Sequence, residues 1–312
     1  MTVRDDQGRN TAIMIRIIRR AMGCEFELVL CGEDRRHLLD AAEEAFEEVQ
    51  RLEEQLSVFR PDSEINYINA LAPRDWVRVE PRLYQLLEAA ARLSAETEGA
   101  FDITAGRLID LWGSAESVPA EIPLTTGEIL FDPEENAVRF ANPDMKLNLG
   151  AIGKGYAARQ IADLLVERGL AGALISAGSS SVYALGSPPD EDAWGVGIRN
   201  PVNQHDRITS VSLRNQALST SGSHERFVEI EGRRYSHLID PRTGRPAEGL
   251  LLAGVITADP IEGEALSTAF FILGLDKAQE YCRAHPDVSA ILVREDWQGL
   301  GPEVITIGGV SQ

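Results

Sequence analysis

The chain has 312 residues, 44% hydrophobic and 25% charged, which allows one large or two ordinary globular domains with a sizeable core. Its formal net charge of −19 argues against a surface that tracks nucleic-acid phosphates or settles on anionic lipid, because long-range repulsion opposes both encounters. No run of about 18 apolar residues occurs, so no membrane insertion is expected. The opening MTVRDDQGRN lacks the apolar stretch of a secretory signal, and the chain reads as a soluble cytoplasmic protein. Cys24, Cys31 and Cys282 have neither CxxC spacing nor paired histidines nearby, so they read as packing residues rather than disulfides or zinc ligands.

Residues 1–12 read as a polar tail and 13–312 as one intertwined domain, since no composition shift marks a boundary. The segment AIMIRIIRRAMGCEFELVL breaks at Met22-Gly23 and predicts two short strands or one bent strand. Next, Leu38, Ala42, Phe46, Val49, Leu52 and Leu56 recur at helical spacing, and the glutamates between them form a solvated face. A proline opens and Gly99 closes a second amphipathic helix around 81–98. A Pro/Ser/Thr/Glu-rich connection, 114–127, is expected to run over the surface. The spacing then predicts a helix over 155–170, strands at 172–186, 194–198, 207–214, 226–232 and 251–258, two helices within 260–284, and strand over 288–308. Strands with interspersed helices and sequential antiparallel-looking pairs predict an α+β fold rather than a doubly wound sheet.

Several stretches could carry chemistry. LNLGAIGKGYA places Gly150, Gly153 and Gly155 around Lys154 ahead of a helix, where backbone N–H groups and an ammonium can meet a phosphate. It is not a Walker A loop, because Asn148 and Gly155 stand where that loop has glycine and Ser or Thr; a plain strand-to-helix turn explains the glycines equally well. In TADPIEGEALSTAFFILG, Asp259 caps a helix whose Glu264 and Thr268 lie one turn apart with Ser267 beside them. A carboxylate and hydroxyls suit Mg²⁺, while hydroxyls bonded back to the preceding turn are the plain alternative. ALSTSGSHERF reads as a Ser/Thr-rich loop containing His224, and it matches no serine-nucleophile motif. In HLIDPRTGRP, His237 and Asp240 form either a base with its orienting carboxylate or an ordinary turn.

Taken together and in order, MGCEFELVL, LSVFRPDSEINYIN, GAFDITAGRLIDLWG, LNLGAIGKGYA, WGVGIRNP, ALSTSGSHERF, SHLIDPRTGRP and EALSTAFFILG make the chain resemble the FAD:protein FMN transferases, the ApbE family. The resemblance implies a mixed α+β unit with a flavin cleft between two halves. It implies Mg²⁺-dependent transfer of FMN from FAD to a threonine hydroxyl of an acceptor protein, with release of AMP. By position it implies an FAD site lined by Met22, Phe59, Ala100, Phe101, Asp102, Asn148, Lys154 and Leu238. It implies a metal held by the Ala151 carbonyl and the side chains of Glu264 and Thr268, with Ser267 adjacent. Lys154 would neutralise the diphosphate, His237 would take the threonine proton, and Asp240 would orient His237. Two other outcomes stay open: an FAD pyrophosphatase that releases FMN and AMP, and a catalytically weakened FAD-binding protein. The sequence departs from the usual family pattern at Cys24 for threonine, Phe59 for tyrosine, Asn148 for aspartate, Ser179-Ser180-Ser181 for Gly-Gly-Asp, and Glu264 for the metal-binding aspartate.

Overall fold

The computed structural model describes residues 12–310 except 120, 124, 204, 223–226 and 297–300. The break at Met22-Gly23 is a hairpin turn. It joins β1 (Ile13–Ala21) to β2 (Cys24–Gly32), pairs Ala21 with Cys24, and holds Met22 and Gly23 at φ 50° and 73°, the left-handed pair of a two-residue turn. Asp34 caps α1 (Arg35–Leu56) by accepting from the Arg36 N–H at 2.8 Å, and the predicted apolar stripe is buried. Ser63 caps α2 (Glu64–Leu71), and β3 (Val77–Arg78) leads to α3 (Pro81–Glu96), which has proline in its first turn. α4 (Gly106–Gly113) follows. β4 (Ile129–Asp132) and β5 (Ala137–Phe140) join β3 in a small antiparallel sheet. Between α4 and β4, the described residues of 114–127 hold neither helix nor strand.

The rest of the chain is α5 (Gly153–Glu167), β6 (Gly172–Ala177), β7 (Ser181–Leu185), β8 (Trp194–Arg199), β9 (Arg207–Leu213) and β10 (Gln216–Gly222). Then come β11 (Phe227–Ile230), β12 (Arg233–Ser236), β13 (Ile239–Asp240), β14 (Arg245–Pro246), β15 (Leu252–Thr257), α6 (Pro260–Leu273), α7 (Leu275–Ala284), β16 (Ser289–Glu295) and β17 (Pro302–Ile307). Eight strands form the main sheet in the order β1-β2-β6-β7-β10-β15-β16-β17, with every neighbouring pair antiparallel. The fold is mixed α and β, as the element pattern predicts. Alternation along the strands sorts the core onto two faces. Ala173, Ile175 and Ala177 pack under α1 and α5, whereas Leu218, Leu252 and Ile256 pack under the β8–β9 hairpin with Trp194 and Leu213. α6 and α7 cover the far end through Leu266, Phe270 and Cys282. None of the three cysteines is in a disulfide, and burial pushes the Cys31 and Cys282 thiols up to about 11, which suits packing residues.

The segment from Ala217, expected to be a loop, is largely the interior strand β10, paired to β7 on one side and β15 on the other. Its serines escape the rule that strands are apolar because they face α6, Ser219 against Gly263 and Ser221 bonded to Ser267 and Thr268.

Candidate active site

Two helix N-termini converge over the middle of the main sheet. Gly155, in the first turn of α5, lies so close to α6 that a Cβ there would overlap the Pro260 carbonyl oxygen. α5 has Ile152 at its N-cap and no capping side chain of its own. Glu264, one turn into α6, supplies the missing partner: its Oε2 accepts from the Gly155 N–H at 2.7 Å. Its Oε1 accepts from the Ser181 hydroxyl at the start of β7 and lies 3.0 Å from Lys154 Nζ. Lys154 also donates to Ser180 Oγ at 2.7 Å and Ser181 Oγ at 3.3 Å. The Glu264 side chain is only 5% exposed, and these donors give its buried oxygens the partners that water cannot.

Beside Glu264 lies a set of hydroxyls. Ser221 Oγ, on the α6 face of β10, is 3.0 Å from Ser267 Oγ and 3.3 Å from Thr268 Oγ1. Ser267 donates back to the Glu264 carbonyl at 3.0 Å, the plain alternative noted above, and its oxygen still has lone pairs to offer. Ser219 Oγ, two residues along the same strand, is buried with no partner among the described residues. Among those residues no cluster of three or more His, Cys, Asp and Glu exists. The donors that do gather are hard oxygens around a single carboxylate, a set that fits a magnesium ion sharing its shell with water and substrate phosphate. Ala151 is half-buried in the turn before α5.

The other predicted side chains lie mostly on turns and loops outside the helices. Met22, thrust out by its hairpin turn, reaches to 3.5 Å from the Cβ position of Gly153. Asn148 N–H donates to the Ile103 carbonyl at 2.8 Å, and Asn148 Oδ1 accepts from Gly150 N–H at 2.8 Å, tying the 100–103 loop to the glycine turn. The side chains of Ala100 and Phe101 are buried in the core. Burial pushes the Asp102 carboxyl up from its ordinary range, opposed by the Thr104 N–H at 2.8 Å and hydroxyl at 2.7 Å. Phe59 is 92% exposed on the turn between α1 and α2. That turn is held by Asn66, whose amide donates to the carbonyls of Val58 and Arg60 at 3.0 and 2.8 Å. One turn on, Asn69 exchanges two hydrogen bonds with Leu147, at 3.1 and 2.7 Å, so α2 fixes Phe59 and Asn148 together.

HLIDPRTGRP is a tight hairpin, with Ile239 paired to Pro246 and Asp240 to Arg245, and Gly244 at φ 69° closing it. Its back is pinned by Trp112 of α4, whose buried indole donates to the Gly244 carbonyl at 2.7 Å. Asp240 accepts from Arg242 Nε and Nη2 at 2.9 and 2.8 Å, so its carboxylate braces the turn. The Arg242 Cγ comes within 3.7 Å of the Gly99 Cβ position, which docks the turn on the loop bearing Ala100, Phe101 and Asp102. Leu238 packs against the α6–α7 core, and His237 next to it is half-buried. His224 lies outside the described residues.

Residues 22–292 match the family model described as "ApbE family". The chain belongs to the ApbE family. Relatives with the name FAD:protein FMN transferase include one from Klebsiella pneumoniae strain 342, 32% identical across 82% of both chains. One from Treponema pallidum strain Nichols is 33% identical across 82% of this chain and 77% of its own. The crystal structure of the ApbE protein of Thermotoga maritima superposes with a TM-score of 0.82 at 28% identity, covering 93% of this chain and 96% of that one. The apo form of the Pseudomonas stutzeri flavinyl transferase ApbE gives 0.80 at 27% identity and 95% coverage of both. Against the ApbE pattern named above, the departures at Ser180, Ser181 and Glu264 are neighbours in space, joined through Lys154. Ser221, Asn66, Asn69 and Trp112 are the site-building residues that motif reading passes over. For the asparagines the signal was Ser63 ahead of a helical Ile65–Ile68 spacing.

Proposed function

We propose that this chain is an FAD:protein FMN transferase that moves FMN from FAD to a threonine hydroxyl of an acceptor protein, with release of AMP, and that it does so with Mg²⁺. The observation that carries the reading is the convergence of Lys154, Glu264 and the Ser221–Ser267–Thr268 hydroxyls near the N-terminus of α5, which Glu264 caps. A helix N-terminus, an ammonium and a hard-oxygen cation site together suit a diphosphate. Mg²⁺, held by Glu264, Thr268 and Ser267 with the Ala151 carbonyl, would neutralise charge on that diphosphate.

Within this reading Met22, Asn148, Leu238 and the backbone of Ala100, Phe101 and Asp102 line the flavin nucleotide, and the exposed ring of Phe59 closes on it. Lys154 holds a diphosphate oxygen. The threonine oxygen attacks the FMN phosphorus as its proton passes to His237; the bond from that phosphorus to the bridging oxygen breaks, and AMP leaves with the electron pair. Asp240, braced by Arg242, holds the turn that aims His237, so its orienting effect acts through the backbone.

The test is AMP release from FAD and Mg²⁺, with and without a threonine-bearing acceptor. Release that depends on acceptor supports transfer, release without it makes the protein a pyrophosphatase, and FAD binding with neither product leaves a flavin carrier. Glu264→Ala is expected to abolish AMP release while some FAD stays bound. His237→Ala is expected to slow transfer by about 10²–10⁴-fold, the usual worth of a general base, with Mg²⁺ dependence intact. An unchanged rate returns His237 to a structural role.

A further inference from the structure

Glu264 already has a counter-ion. The Lys154 ammonium lies 3.0 Å from Glu264 Oε1, and the carboxylate is 5% exposed. A divalent cation drawn to Glu264 therefore meets a like charge in a place nearly sealed from water, where repulsion is weakly screened. The ammonium is not locked there. Its side chain is 24% exposed, its other partners are the neutral hydroxyls of Ser180 and Ser181, and a four-carbon stem gives it reach.

We propose that Lys154 is the resident counter-ion of the cation site, and that it gives up Glu264 as a divalent cation and a diphosphate arrive. The cation takes the carboxylate and the diphosphate takes the ammonium, so every buried charge is paired again once both are bound. Each ligand alone displaces the pair at a cost, and each removes that cost for the other; the coupling is reciprocal. The inference rests on the transferase reading for the identity of the diphosphate, and on this chain's own ion pair for the exchange.

Two measurements test it without turnover. Calorimetric titration of Mg²⁺ without nucleotide is expected to show tighter binding to Lys154→Met than to wild type, by about tenfold or more, within the usual span of coupled sites. Equal or weaker binding overturns the proposal. Should that variant not fold, wild type decides through competitive acetic anhydride labelling of its three lysines, Lys146, Lys154 and Lys277. Lys146 and Lys277 pair with Asp110 and Glu98 elsewhere and serve as internal standards. Saturating Mg²⁺ alone is expected to raise Lys154 labelling several-fold, and flat labelling overturns the exchange. FAD added with Mg²⁺ is then expected to suppress it. Labelling that rises with Mg²⁺ yet ignores FAD supports the exchange and overturns the diphosphate reading alone.

Discussion

Asp102 shows how one carboxyl reports on its pocket. Burial raises its folded pKa above the unfolded value of about 3.9, so between that value and the folded one the native state holds more protons than the unfolded chain. In that window stability falls as pH rises, the reverse of the usual ion-paired carboxylate. Asp102→Asn keeps an acceptor for Thr104 and removes the charge. Chemical denaturation of both proteins from about pH 4 upward should show the variant gaining relative to wild type as pH rises; parallel curves would mean that the pocket does not penalise the charge. At this scale Asp102, Lys154 and Glu264 were each legible from motif resemblance. Their partners were not, because Ser181 and Glu264, or Asn69 and Leu147, meet only through tertiary packing and leave no mark in local spacing.

The site depends on how closely α5 and α6 approach. Gly155→Ala puts a methyl into the Pro260 carbonyl, and the helices must part. The expected loss is about 1–3 kcal/mol of stability, the usual cost of overpacking, accompanied by weakened FAD and Mg²⁺ binding because Glu264 no longer reaches the α5 N-terminus. Thermal melts and FAD fluorescence quenching would check both, and unchanged binding would dissociate the helix contact from the site. Elements with a strong period or a cap were legible: α1 from its apolar stripe, α3 from Pro81 and Gly99, α6 from Asp259 and Pro260. β10 was not, since Ser219, Thr220 and Ser221 look like a loop until α6 is placed above them. α4 was missed for want of any cap, with Ala105 before it and glycine at each end.

Across the whole molecule the excess of negative charge is the dominant long-range term. Raising ionic strength from about 0.01 to 0.15 M shortens the Debye length from about 30 to 8 Å. Self-repulsion then falls more than the exposed ion pairs lose, since those contribute only about 0–1 kcal/mol each. The melting temperature is expected to rise over that range, and a fall would mean that surface pairs outweigh net charge. The antiparallel order was legible only as a class, because which strands lie side by side is decided by long-range closure rather than by local pattern.

The cap on α5 has a consequence for biosynthesis. Gly155 and Glu264 are 109 residues apart, so a ribosome adding about 5–20 residues per second leaves the helix end open for roughly 5–20 s before its carboxylate emerges. Throughout that interval Lys154 has no acidic partner from α6, and the Lys154–Ser181–Glu264 cluster does not yet exist. The cluster is completed only when little beyond α7, β16 and β17 remains to be made.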